Sequence, residues 1–199
     1  MSPMKETDDC MTKGYKTSTY LNYTWNIVAS FFWKRYPNPY AKHVLSEDII
    51  HREILPDGSL YTKRLTTKKH FKALPFTIKY LFKNKEFILE ESIISPRKQL
   101  MDTLTYNVGE SKNYGILYEK CSYTPTSSVP QQTFINKLMW IESKMNAFFS
   151  RPVIKCLMYK YKSTSVKSSI GYEHVIKNNL LLNVPINSKF IPARKPEVS

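Results

Sequence analysis

The sequence is poor in glycine, cysteine and acidic residues, and each shortage narrows what the chain can do. Its five glycines are Gly14, Gly58, Gly109, Gly115 and Gly171. They form neither Gly-x-Gly-x-x-Gly nor any other phosphate-cradling loop, and there is no Gly-x-Ser-x-Gly elbow to expose a nucleophile. The three cysteines, Cys10, Cys121 and Cys156, share no Cys-x-x-Cys spacing, so no zinc site or redox pair is indicated. His43, His51, His70 and His174 likewise lack metal-ligand spacing. The chain therefore reads as a non-enzyme with no metal and no cofactor. No apolar run approaches the ~20 residues that span a bilayer. The first dozen residues carry Glu6, Asp8 and Asp9 without an apolar core, unlike a secretory signal or an Arg-rich transit peptide. Asn22-Tyr23-Thr24 has the form of a glycosylation acceptor, but without a signal peptide it carries no weight.

What is abundant is positive charge. Thirty Lys+Arg stand against 16 Asp+Glu, a formal net charge of +14. Such an excess calls for an acidic partner: nucleic acid, an anionic membrane or a phosphorylated ligand. At 199 residues the chain is sized for one domain with tails, able to bury roughly 70% of its unfolded surface.

Residues 1–13 read as a disordered lead. Tyr15, Thr17, Thr19 and Leu21 alternate with polar residues, a first strand. Trp25, Val28, Ala29 and Phe32 then recur at i, i+3, i+4 and i+7, the stripe of a helix that packs on a core. Residues 42–54 and 59–66 form a hairpin about Pro56-Asp57-Gly58, where glycine supplies the positive φ. A basic stretch without periodicity, 67–75, leads through Pro75 into a short helix ending near Phe82. Four strands follow near 86–94, 99–108, 114–124 and 131–142, joined by short turns with no helices between them, which argues for an antiparallel meander. Ser150 and Pro152 open the longest helix, with Ile154, Leu157, Met158, Tyr161, Tyr172, Val175 and Ile176 at helical spacing up to Leu182. Residues 183–199, with three prolines, form a basic tail. The fold class is α+β: a helix, a run of about seven strands in all and one long C-terminal helix make a helix-grip layout. In that layout a curved sheet wraps the helix and can leave a cavity.

The chain is organised around Trp33-Lys34-Arg35-Tyr36-Pro37-Asn38-Pro39-Tyr40 and the Ala41-Lys42-His43-Val44-Leu45 that follows. The prolines end the preceding helix, so Arg35 falls on its last turn and His43 begins a strand, both held by stiff neighbours. Together with the later Arg64-Leu65 strand, this run resembles the PRELI-like family of mitochondrial lipid-transfer proteins. The resemblance covers roughly residues 14–180, implying a domain over 14–182, and is most specific over 31–65. It implies a START-like lipid cavity, and a carrier that moves phosphatidic acid between membranes of the mitochondrial intermembrane space in support of cardiolipin synthesis. It also implies an anionic membrane surface as partner, and a heterodimer with a small helical-hairpin protein bearing twin Cys-x(9)-Cys motifs. A phosphatidylserine-preferring carrier of the same family is the alternative.

Helical geometry puts Lys160, Thr164 and Lys167 in one narrow stripe, while Lys155, Lys162 and Lys177 supply a separate outer face. A hydroxyl between two lysines suits a phosphate. The resemblance assigns this stripe to the headgroup site, with Arg35, His43, Arg64 and Lys68. It also assigns a mobile lid to the basic stretch, including Lys69, His70, Phe71, Lys72 and Leu74. The rival from composition alone is a nucleic-acid binder, because Tyr159-Lys160-Tyr161-Lys162 interleaves aromatics with cations as single-strand binders do.

Overall fold

The computed structural model describes residues 13–69, 85–129, 131–143, 145 and 147–182. Seven strands form one antiparallel sheet: β1 Lys13–Leu21, β2 Val44–Ile54, β3 Leu60–Lys69, β4 Lys85–Ser95, β5 Leu100–Asn107, β6 Gly115–Pro125 and β7 Thr133–Ser143. Their spatial order is β1-β7-β6-β5-β4-β3-β2. The chain thus runs a meander from β2 to β7, and β1 closes on β7 with Lys13 opposite Ile141. Between β1 and β2, which lie at opposite edges, the chain crosses through helix α1, Trp25–Phe31, and two single 3-10 turns, Phe32–Lys34 and Pro39–Ala41. The long helix α2, Ala147–Leu182, completes the helix-grip architecture.

Alternation decides which side of each strand faces α2. Ile135, Met139 and Ile141 of β7 are buried, as are Cys121 and Tyr123 of β6. The apolar stripe of α1 and the 3-10 turn that continues it buries Trp25, Val28, Ala29 and Phe32 as its spacing predicts, and fully burying a side chain such as Phe32 is worth ~1.5–3 kcal/mol. Two separate apolar cores result. One joins α1 and the sheet to Tyr172 and Ile176 near the end of α2. The other joins Met139 and Ile141 to Ile154, Met158 and Tyr161 near its start.

Most strand ends fall within one or two residues of expectation, and four boundaries bear on the site. His43 does not begin a strand: it lies in the turn after Pro39–Ala41, and β2 starts at Val44. Arg35 follows a 3-10 turn instead of ending the α-helix itself, because the last turn tightens before the two prolines. Strand β3 runs on to Lys69, since its ladder with β4 continues through Lys69 opposite Lys85. Helix α2 starts at Ala147, three residues before the predicted cap at Ser150, so Pro152 lies inside it. A proline there removes one backbone hydrogen bond, a loss that packing of the later turns outweighs. The lead before residue 13, the short helix near 75–82 and the tail 183–199 lie outside the described residues.

Candidate functional site: a cation-lined cavity between sheet and helix

Between the two apolar cores the stripe of α2 fails. After Tyr161 the inward positions are Thr164, Ser165 and Ser168, and large apolar residues return only at Tyr172. Side chains this short cannot reach the sheet. The gap is a cavity of about 270 Å³, walled on the helix side by Ile154, Leu157, Tyr161, Thr164, Ser165, Lys167 and Ser168. The sheet side is unusually polar for an inner face, with Lys68, Glu86, Glu90, Thr103, Thr105, Glu119 and Lys137 on the wall.

The Arg35–His43 segment is pinned at one end of this cavity by close packing on α2. Asn38 donates from Nδ2 to Arg35 O at 2.7 Å and accepts at Oδ1 from Tyr40 N at 2.9 Å. A Cβ on Gly171 would stand 2.7 Å from Asn38 Oδ1, so only glycine lets the segment seat there. The Tyr172 hydroxyl donates to Val28 O and ties α1 to the same turn of α2.

The predicted residues divide into two groups. Arg35 and Arg64 meet on one buried carboxylate. Arg35 Nη2 donates to Glu90 Oε2, Arg64 Nε donates to Oε1 at 3.0 Å, and Arg64 Nη1 lies 3.2 Å from Glu47 Oε1. The Arg35 guanidinium lies 4.4 Å from the centre of the Phe32 ring, and that of Arg64 lies 4.9 Å from the Trp33 ring. Burial disfavours the charge on Glu90, but Arg35 and Arg64 outweigh it and hold the carboxyl below its ordinary range. Burial acts the same way on Glu47, where it prevails over the two arginines and raises the pKa. Arg64 is only 3% exposed. It is absent from the cavity wall, whereas Arg35 lies on it.

His43, Lys68 and Lys167 form the second group. They come from the turn before β2, from β3 and from α2, and all three line the cavity. Burial lowers the His43 pKa, and the neighbouring charges of Lys68 and Lys167 lower it further. The three residues share one cavity wall, and His43 is near enough to both lysines to feel their charge. Thr164 also lines the cavity, with its hydroxyl donating to Tyr161 O at 3.2 Å. Lys160 lies in α2, but its side chain is outside what the structure describes. Of the proposed lid, Lys69 is an exposed strand residue at the end of β3, its N–H donating to His43 O at 2.6 Å, while His70, Phe71, Lys72 and Leu74 lie outside the described residues.

Several wall residues escaped the sequence reading. Glu86 accepts from Ser111 Oγ at 2.5 Å, and burial raises its pKa. Lys137 is 6% exposed on β7. It was legible in principle: Ile135, Lys137, Met139 and Ile141 occupy alternate, inward positions, and a lysine in such a series is out of pattern. The aromatic–cation series of the nucleic-acid reading does not share one surface. Tyr159 is 78% exposed, while Tyr161 is buried against Tyr15, edge to face at 6.2 Å.

Residues 26–181 match the PRELI-like family. Mouse PRELI domain-containing protein 1, mitochondrial, is 35% identical over 170 residues, 83% of this chain and 76% of its own length. The chain belongs to the PRELI-like family. Among fungal members of the family, the fission yeast protein ups1 homolog is 32% identical over 84% of this chain and 96% of its own length. Baker's yeast protein UPS1, mitochondrial, is 30% identical over 75% and 85%. In fold, the PRELI-like chain is similar to a protein from Thermus thermophilus, with TM-score 0.55 and 14% identity over 84% of this chain and 99% of that one. It is also similar to the Zhui aromatase/cyclase, with TM-score 0.53 and 7% identity over 85% and 96%. At those identities the likeness speaks for the helix-grip fold alone.

Proposed function

We propose that this chain binds phosphatidic acid in the cavity and carries it between membranes of the mitochondrial intermembrane space, supplying cardiolipin synthesis. The observation that carries this function is the convergence of His43, Lys68 and Lys167 on a cavity between sheet and helix. The family's mitochondrial members support the compartment. Phosphate prefers such cations, and a monoester carries ~1.5–2 negative charges at neutral pH. Burial is worth ~0.8 kcal/mol per methylene, so two acyl chains totalling ~30 methylenes represent about 25 kcal/mol that the protein must largely replace. At about 270 Å³ the cavity is just below the usual size of ligand pockets, ~300–1,000 Å³. Uptake therefore entails a widening between α2 and the sheet.

Two partners belong to this function. One is an anionic membrane surface. The other is a small helical-hairpin protein with twin Cys-x(9)-Cys motifs, bound as a heterodimer. Leu45, Ile49, Ile50 and Ile54 on edge strand β2 are exposed apolar surface that such a partner would cover.

Phosphatidylserine is the second reading, favoured by Glu86 and Glu119 on the wall, since a carboxylate there can receive an ammonium. Transfer between liposomes tests both. Phosphatidic acid should move fastest, phosphatidylserine more slowly and phosphatidylcholine hardly at all. Equal rates for all three would refute an anion-reading cavity.

A further inference from the structure

Lys137 is a buried cation that no carboxylate of the described residues pairs at contact. Only 6% of it is exposed, and its Nζ donates to Ser169 Oγ at 3.0 Å. No carboxylate of the described residues lies within 4 Å of it. Glu119, on the adjacent strand β6 and facing the same cavity, accepts from Cys121 Sγ at 3.4 Å instead. A lysine ammonium has three donors and no acceptor capacity, and among the described residues one hydroxyl accepts from it. Burying a charge on those terms is destabilising unless an anion arrives. Lys137 and Arg35 are the two cations that line both the main cavity and the small side pocket beside it. Arg35 already has Glu90, so Lys137 is the one of the two without a carboxylate.

We propose that Lys137 is the inner anchor for a phosphate monoester, a binding residue that completes the shell begun by His43, Lys68 and Lys167. This assignment deepens the lipid-carrier function above and rests on it. A residue placed for a ligand and one placed for the fold respond oppositely to removal. If Lys137 serves the ligand, Lys137→Met removes a buried charge and fills the same space, so the empty protein should melt at the same temperature or higher. The loss of a charge-assisted hydrogen bond should lower phosphatidic acid retention at least tenfold.

The experiment incubates full-length wild type and Lys137→Met with phosphatidic acid vesicles, separates them by gel filtration, counts retained lipid and measures melting with and without lipid. Inorganic phosphate, without vesicles, is the parallel arm. Tenfold lower retention with undiminished melting of the empty protein supports the anchor. Wild-type retention by Lys137→Met overturns it, as does a lower melting temperature with normal retention, which would make Lys137 a strut to Ser169. If the methionine variant does not fold, Lys137→Gln, which keeps a donor for Ser169, is read in the same way. Should inorganic phosphate protect wild type as fully as the lipid, and Lys137→Met abolish that protection, the site takes free phosphate and the lipid assignment is overturned. A wild type that retains no phospholipid at all overturns the carrier function together with the anchor.

Discussion

Arg35 and Arg64 face Glu90 and Glu47 in a buried cluster where two positive charges meet two carboxyl groups, whereas Lys68, Lys137 and Lys167 stand on the cavity wall with no carboxylate of the described residues within 4 Å. Both groups are cationic, and Arg35, Arg64, Lys68 and Lys167 rank together in the sequence, while Lys137 emerges only from the fold. Their surroundings separate them. The arginines are held between a carboxylate and the Phe32 and Trp33 rings, which fixes where the α1 segment meets β3 and β4. The lysines stand on the cavity wall without a close carboxylate among the described residues: Lys68 feels Glu47 and Glu86 only at a distance, Lys137 holds a hydroxyl, and Lys167 reaches solvent. A charge paired at contact builds the wall; a charge without a contact partner can read a ligand.

The largest expected effect comes from breaking the satisfied group. Glu90→Ala strands two buried guanidinium groups on the inner face of the sheet, and removing one partner of such a set costs ~3–5 kcal/mol. For a chain of this size that is a fall of about 10 °C in melting temperature, measurable by calorimetry. A fall of under ~2 °C would mean that the cluster is not structural.

Charge reversal at the proposed headgroup positions of α2 should act on transfer and spare the fold. Lys160→Glu and Lys167→Glu should abolish phosphatidic acid transfer between liposomes, while Lys162→Glu, exposed on α2 with its ammonium 4.6 Å from the Tyr15 ring, should keep most of it. All three should keep their helical circular dichroism. Equal damage from Lys162→Glu would point to general attraction to the membrane instead of a site.

A smaller effect follows from His43. Its pKa is held below the ordinary 6.5 by burial and by Lys68 and Lys167. The unfolded chain therefore binds the proton more readily, and the empty protein should lose some stability as pH falls below about 6.5. A bound phosphate offsets the lysines and favours the imidazolium, so lipid binding should take up a proton at His43. The phosphate itself titrates near pH ~6, so the test is a difference: His43→Gln should reduce the proton uptake recorded by calorimetry in buffers of different ionisation enthalpy. An unchanged uptake would remove His43 from the site.

The smallest effect belongs to the outer face. Lys63 and Glu91 pair at 3.0 Å in partial exposure to solvent, and Lys63→Ala should change stability by less than ~1 kcal/mol and transfer not at all.

Much of the fold was legible because periodicity reports directly on which side is buried. The α1 stripe, the order of strands and the second half of α2 all carry it. The cavity was legible in part. Its helix wall is marked by Thr164, Ser165 and Ser168 interrupting an apolar stripe, and its far wall by Lys137 in an inward series. What the chain does not spell out is pairing across the sheet. Glu90 sits next to Glu91, one facing in and the other out, and only the register that sets Glu90 opposite Arg64 reveals which is buried. Arg64 therefore reads as a ligand-binding cation from sequence, yet in the fold its charge is already matched. Strand ends were the other blind spot, since the ladder that carries β3 to Lys69 depends on its pairing with Lys85 of β4, well beyond the end of the strand in the chain.

Native mass spectrometry of the full-length protein after incubation with vesicles of equimolar phosphatidic acid, phosphatidylserine and phosphatidylcholine tests the central claim most directly. A one-to-one complex dominated by phosphatidic acid is the predicted result. Protein that emerges without lipid, or with the three lipids in the proportions of the vesicles, would contradict a cavity built to read an anionic headgroup.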